Sequence, residues 1–349
     1  MSNKIKVGLV GWGISAKVFH APFLKTLPYF EVTHVMERHR QESKAMFPDA
    51  EILTSFDELL QRDVDLIIIT TPNNTHYPYT LQALKANKNV VVEKPFTIYS
   101  NEAMELTNAA KQNNLLLAVY HNRRYVSDYL TIKKILDEKL LGDVHTFEAH
   151  YNRYRAEERP DAWREKSLPG SGILYDLGAH LIDQTLTLFG LPQSVTADVK
   201  MQRSHAKATD WFELKLDYGF LQATLQAGML VREPGPRYLV HGTKGSFIKS
   251  GEDPQEAKLR AGELPGKNLG VEQEDTYGLL HTEMNGKIVK EKVPSERGDY
   301  GLFYKDVYEN LANKIPFQIL PEQAYNVIKI IELAEESSRK KCTLAFDIF

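Results

Sequence analysis

Three short motifs in this chain contain, between them, the groups needed to move a proton while a hydride moves. Gly11-Trp12-Gly13-Ile14-Ser15-Ala16 stands near the start, Glu93-Lys94-Pro95 follows, and Asp176-Leu177-Gly178-Ala179-His180 comes later. The first can hold a dinucleotide phosphate. Gly11 permits a tight turn, Gly13 lets the backbone approach a pyrophosphate, and small Ala16 lets a helix pack close to the preceding strand. Such a loop needs a strand before it and a helix after it. The apolar run Ile5 to Val10, then a helical stretch from about Ser15 to Leu27, meets that need. That helix would aim its unpaired N–H groups at the phosphates.

The other two motifs supply a cation, a carboxylate and an imidazole. Asp176 and His180 are four residues apart on an expected helix, so both project from one face. On a helix otherwise apolar at Ile173, Leu174, Leu177, Leu181 and Ile182, they need partners or a polar cavity. Taken alone, each motif has a plain alternative: a glycine turn, a solvated lysine, a core histidine beside an acid. Lys94, however, sits between the apolar run Val90 to Val92 and Pro95, at the mouth of a sheet, which argues against a solvent role.

The elements that must position these groups alternate over the first 120 residues. Strand-like runs are Ile5 to Val10, Val32 to Met36, Leu66 to Thr70, Val90 to Val92 and Leu115 to Val119, with helical stretches such as Tyr77 to Ala86 and Glu102 to Gln112 between them. Ser100 or Asn101 is available to cap the latter. This pattern predicts a doubly wound parallel sheet whose ligand crevice lies at the carboxyl ends of the strands. Five loops converge there: Gly11 after the first strand, Glu37 after the second, Thr70-Thr71-Pro72-Asn73 with nearby His76 after the third, Glu93-Lys94-Pro95 after the fourth, and His121-Asn122 after the fifth.

The second half changes character. A helix at about Asp128 to Lys139 precedes strand-like alternation from Asp143 to Tyr154, and further runs follow at Trp211 to Leu216, Leu221 to Ala227, Tyr238 to His241 and Leu279 to Val293. Asp217-Tyr218-Gly219 and Asn285-Gly286 read as hairpin turns. A largely antiparallel sheet is therefore expected, interrupted by a helix at about Gly172 to Phe189 that stops at Gly190-Leu191-Pro192. Gly262 to Gly270 reads as a loop, and Pro321 opens a last helix that buries Val327, Ile328, Ile331 and Ala334. Helices cover one face of such a sheet. A second copy of the chain is the expected cover for the other, giving a homodimer or homotetramer through the C-terminal sheet.

Composition narrows the partners. A chain of 349 residues suggests two domains, here drawn at residues 1–121 and 122–349, and 42% apolar residues are ample for two cores. A net charge of −3 leaves no basic footprint for nucleic acid and no polybasic segment for a membrane, so small molecules and other subunits are the expected partners. The single Cys342 cannot form an internal disulfide, and neither a signal peptide nor a membrane-spanning run is expected. These features fit a cytoplasmic protein. No third ligand lies near Asp176 and His180 in sequence, so no metal is expected.

The motif order Gly-x-Gly-x-x-Ala, Glu-Lys-Pro, Asp-x-Gly-x-His resembles the glucose-fructose oxidoreductase and inositol dehydrogenase family, also called Gfo/Idh/MocA, over nearly the whole chain. The stretches Tyr120-His121-Asn122-Arg123-Arg124, Tyr151-Asn152-Arg153-Tyr154-Arg155, Trp163-Arg164-Glu165 and Leu174-Tyr175-Asp176-Leu177-Gly178-Ala179-His180 are similar to its NADP-dependent scyllo-inositol dehydrogenase branch. The resemblance implies an N-terminal Rossmann domain and a C-terminal α+β domain with an open, mostly antiparallel mixed sheet. It implies a dehydrogenase acting on a hydroxyl-bearing carbon of a polyol or sugar, with Lys94, Asp176 and His180 at the catalytic positions. Arg123, Tyr154 and Arg155 supply donors and an aromatic face for a polyol. Trp163 and Arg164 could serve the substrate too, although in the family such residues lie near the nicotinamide. Tyr300 and Tyr304 are further candidates. Relatives that cleave glycosidic bonds through transient oxidation, or that keep the dinucleotide site as sensors, are the alternatives.

The choice between NAD and NADP turns on Glu37. An acid there accepts bonds from a free ribose 2′-hydroxyl and favours NAD. If Glu37 turns outward, Arg38 could pair with a 2′-phosphate, and Arg40 follows at once. The resemblance tilts the choice to NADP.

Overall fold

The computed structural model describes residues 4–159 and 162–347. In chain order its first elements are β1 (Ile5–Val10), α1 (Ala21–Thr26), β2 (Phe30–Met36), β3 (Glu51–Leu53), α2 (Phe56–Leu60), β4 (Leu66–Ile69), α3 (His76–Lys85), β5 (Asn89–Val92), α4 (Ser100–Gln112) and β6 (Leu117–Val119). Then come α5 (Ser127–Asp137), β7 (Val144–His150), α6 (Ala179–Phe189), β8 (Ser194–Lys200), β9 (Trp211–Asp217), β10 (Gln222–Gly228), β11 (Tyr238–Gly242) and β12 (Gly245–Lys249). The last are α7 (Gln255–Arg260), β13 (Gly278–Met284), β14 (Lys287–Val293), α8 (Gly301–Asn313), α9 (Pro321–Lys340) and β15 (Leu344–Ala345). The chain condenses into two compact units. Residues 1–122, 254–269 and 299–325 make the first, and residues 123–253, 270–298 and 326–349 the second.

In the first unit six strands run parallel in the order β3-β2-β1-β4-β5-β6. Val7, Leu9, Val10, all four residues of β4 and the three valines of β5 are fully buried, as strands covered on both faces require. The order reverses between β1 and β4, so the crevice of a doubly wound sheet opens there, at Gly11 and Thr70.

β3 and α2 are additions to the expected elements; at three and five residues they are too short to carry a readable period. The helix expected from Ser15 to Leu27 is divided. Residues Ala16–His20 form a π-helical turn, closed by the Ala21 N–H donating to Ala16 O, before α1 begins. Pro22 has no N–H to continue a regular ladder, which gives a local reason for the wider turn. Tyr99, rather than Ser100 or Asn101, caps α4, and its backbone N–H donates to Glu102 at 3.2 Å.

In the second unit nine strands lie in the order β14-β13-β12-β11-β7-β10-β9-β8-β15. Only β7 and β10 pair parallel; every other neighbouring pair is antiparallel. Asn285 and Gly286, both at positive φ, turn β13 into β14 as expected. One face buries Phe147, Ala149, Phe212, Leu214, Leu216, Ala223 and Leu225. α9 lies along this unit's edge, where Ser337 and Ser338 accept the backbone N–H groups of Ala197 and Val199, each at 2.9 Å. The alternate positions Thr146, Glu148, His150, Glu213, Lys215, Thr224 and Gln226 are polar and half-buried or exposed. The helix expected from Gly172 to Phe189 is again divided, into a π-helical turn at Leu174–Gly178 and then α6. No described helix is long and apolar enough to cross a membrane.

Candidate functional site

The first unit holds a groove of about 450 Å³ at the switch point of its sheet. Gly11, Trp12, Gly13, Glu37, Arg38, Arg40, Thr70, Thr71 and Pro72 line it, as does a set not anticipated from the sequence: Lys17, Met36, His39, Glu42, Thr75 and Tyr79. Lys17 was legible in principle, one helical turn beyond Gly13. Gly11 has φ +93°, and a Cβ there would lie 3.0 Å from Thr71 Cγ2, so only glycine fits. A Cβ on Gly13 would meet no protein atom within 4 Å. That open approach over backbone, with exposed Ile14 beside it, fits a dinucleotide phosphate. Ala16 is fully buried, and Asn73, His76 and Asn122 are buried as well.

The Glu37 carboxylate, on the wall of the groove, is engaged by the backbone that follows it. Its two carboxylate oxygens accept the backbone N–H groups of Glu42, at 2.9 Å, and Ser43, at 3.1 Å. It thereby caps the short helical turn Glu42–Ala45 and is itself buried. Lys17 and Arg40 both reach Glu42, and exposed Arg38 stands on the same groove.

Behind the groove the Glu93-Lys94-Pro95 motif is gripped from two sides. The His76 ring lies between two carbonyls, with Pro95 O 2.7 Å from Nδ1 and Thr71 O 2.9 Å from Nε2. The Glu93 carboxylate accepts the Ser15 hydroxyl, the His20 Nε2–H at 3.0 Å and the Lys94 backbone N–H at 3.0 Å. Burial alone would push the Glu93 carboxyl up, but the His20 bond and charge, the Lys94 charge and the Ser15 hydroxyl outweigh it and hold it at about 2. Lys94 is half-buried, and its peptide bond to Pro95 is cis. Tyr300 and Tyr304 are fully buried in this unit, and the Tyr304 hydroxyl meets His20 Nδ1 at 2.5 Å. They are core residues, and substrate has no access to them.

In the second unit the motif Asp176-Leu177-Gly178-Ala179-His180 begins in the π-helical turn and ends in α6. Gly178 is needed for close packing, because a Cβ there would lie 2.9 Å from Leu174 Cδ1 and 3.3 Å from the Phe212 ring. His180 is 5% exposed, whereas Asp176 is half-buried and pairs with Arg164 Nε at 3.2 Å. The Arg164 guanidinium in turn lies 4.6 Å from the centroid of the Trp163 ring. Arg155 stands 3.9 Å from Glu165, and burial together with neighbouring Arg159 and Arg153 lowers its pKa. Tyr154 is exposed with Arg232 over its ring, and Arg123 is half-buried in the short turn Asn122–Tyr125.

Both halves of the chain match known families. Residues 5–121 match the family described as "Oxidoreductase family, NAD-binding Rossmann fold", and residues 133–346 match "Oxidoreductase family, C-terminal alpha/beta domain". The chain is 44% identical to the NADP-dependent scyllo-inositol 2-dehydrogenase IolW of Bacillus subtilis over 347 residues, covering 99% of this chain and 97% of that one. It is 40% identical to the oxidoreductase YdgJ of Escherichia coli, covering 99% of each chain. The solved structure of an oxidoreductase from Bacillus cereus superposes with a TM-score of 0.91 at 31% identity, covering 99% of both chains. Matched in both halves and along its full length, the chain belongs to the Gfo/Idh/MocA oxidoreductase family and is an NAD(P)-dependent dehydrogenase acting on CH–OH groups.

Proposed function

We propose that the chain is an NADP-preferring dehydrogenase of a polyol or sugar, with scyllo-inositol as the first substrate to test. The observation that carries the cofactor preference is the Glu37 carboxylate, whose oxygens are both taken by the Glu42 and Ser43 amides. Those bonds compete with a ribose 2′-hydroxyl for the carboxylate, while Arg38, Arg40 and Lys17 stand on the same groove. A guanidinium such as that of Arg38 pairs well with a 2′-phosphate. The substrate class is supported by the full-length similarity to an inositol dehydrogenase and by the donors on Arg123, Tyr154 and Arg155.

A bound nicotinamide supplies the hydride acceptor. In the oxidation direction His180 takes the proton of the substrate hydroxyl, a task suited to an imidazole near neutral pH. Asp176, braced by Arg164, orients the ring or holds substrate hydroxyls. Lys94 stabilises the developing alkoxide. The loop from Gly11 to Ala16, the Thr70 to Asn73 loop, His76, Glu93, Asn122 and the Trp163-Arg164 pair are assigned to the dinucleotide. A homodimer or homotetramer through the outer face of the second sheet, in a reducing cytoplasm that suits the exposed free Cys342, completes the reading.

The test is the absorbance of reduced nicotinamide with NAD or NADP and a panel of inositols, aldoses and sugar acids. Reduction with a polyol, at higher kcat/KM for NADP, is expected. Silence across the panel, with dinucleotide binding shown by thermal shift, would overturn the polyol dehydrogenase reading.

A further inference from the structure

Three buried polar groups of the first unit form one hydrogen-bonded chain to which the proton-transfer scheme assigns no role. Glu93 Oε1 accepts from the Ser15 hydroxyl and from His20 Nε2 at 3.0 Å, and Oε2 accepts the Lys94 backbone N–H at 3.0 Å. On the far side of the imidazole, Nδ1 meets the Tyr304 hydroxyl at 2.5 Å. His20 and Tyr304 are 0% exposed and Glu93 is 8% exposed. The ionised carboxylate can only accept, so Nε2 carries the ring proton toward it. Burial, with Glu93 nearby, keeps the Tyr304 hydroxyl protonated beside Nδ1.

A chain of this kind is costly to bury, and apolar residues of similar size would fill the space at less cost. The Glu93 end suggests why it is kept. There the carboxylate joins the backbone of Lys94 to Ser15, on the helix that leaves the dinucleotide loop. The π-helical turn Ala16–His20 is the local distortion within which His20 reaches Glu93.

We infer that His20 and Tyr304 are positioning residues for Lys94. By holding the Glu93 carboxylate they fix the backbone at Lys94 and tie it, through Ser15, to the helix that follows the dinucleotide loop. The inference rests on the reading of Lys94 as the group that stabilises the alkoxide.

The test is a double-mutant cycle on kcat with NADP and scyllo-inositol, using His20→Phe, Lys94→Ala and the double variant, with NADPH affinity followed by quenching of tryptophan emission. His20→Phe keeps an aromatic ring against Tyr120, 4.3 Å away in the native protein, and loses both ring bonds. It is expected to lower kcat by about tenfold or more while moving the NADPH Kd by less than about threefold. On the Lys94→Ala background the same change is expected to cost nothing further, because the group it positions is gone. If His20→Phe fails to fold, Tyr304→Phe takes its place, with a loss of about threefold that also vanishes on the Lys94→Ala background. Undiminished turnover in His20→Phe, or an equal loss on both backgrounds, would overturn the positioning role alone. Full turnover in Lys94→Ala, or no turnover of any panel polyol by the unaltered protein, would overturn the parent reading and this inference with it.

Discussion

Replacing Glu93 by Gln keeps the side chain's shape and removes its charge, so it measures what the buried carboxylate contributes. Despite its burial, which alone would raise it, the carboxyl is held at about 2 against an ordinary value of 4.5 by His20, Lys94 and Ser15. At about 1.4 kcal/mol for each tenfold change in proton affinity, Glu93 stabilises the folded chain by roughly 3 to 4 kcal/mol at neutral pH. Because the folded value is depressed, the contribution is complete above the ordinary value. It is lost as pH falls through the interval from 4.5 to about 2. Somewhat under half of it is gone by about pH 3.5. The assay is urea unfolding of the native protein and Glu93→Gln at neutral pH and at about pH 3.5, where the other carboxyls cancel in the difference. The native protein is expected to be more stable by roughly 3 to 4 kcal/mol at neutral pH, and the gap to narrow by roughly 1 kcal/mol or more in acid. A gap under about 1 kcal/mol, or one that does not narrow, would refute the argument that the His20, Lys94 and Ser15 contacts outweigh burial.

The remaining predictions separate binding from chemistry. Gly13→Val should fold with native stability, since nothing lies within 4 Å of its Cβ position, yet weaken NADPH binding by about tenfold or more. Gly11→Val should instead lower Tm, because φ +93° and the Thr71 contact both oppose it. Arg38→Ala should raise the Kd of 2′,5′-ADP by about tenfold and leave that of 5′-ADP unchanged. Lys94→Ala and His180→Ala should each lower kcat by about 100-fold or more with cofactor affinity nearly unchanged, and full activity in either would remove that residue from the scheme. Light scattering at micromolar concentration should give the mass of a dimer or tetramer, and a monomeric mass would count against the sheet-mediated assembly.

Much of the fold was legible because local rules agreed. The β1 run, the glycine loop and the following small residue predicted a strand, a phosphate-binding turn and a helix, and Asn285-Gly286 predicted its hairpin. β8, β12 and α8 were not anticipated, although α8 buries Phe303, Tyr304 and Val307. The π-helical turns were not legible either, since residue pattern does not distinguish them from ordinary helix, and each falls where a candidate site residue sits.

The sequence by itself determined the order of the chemistry: a dinucleotide loop, then a lysine after a buried strand, then an acid and an imidazole four residues apart. These depend on neighbours in the chain and on short-range periodicity, which a single sequence displays. Only the tertiary structure decided which way Glu37 points, because its partners are backbone amides presented by a turn at Glu42 and Ser43. Only the tertiary structure joined His20 to Glu93, 73 residues away, and to Tyr304, 284 residues away. A buried polar group must find its partner somewhere in the fold, but nothing in local sequence says where. That choice belongs to packing.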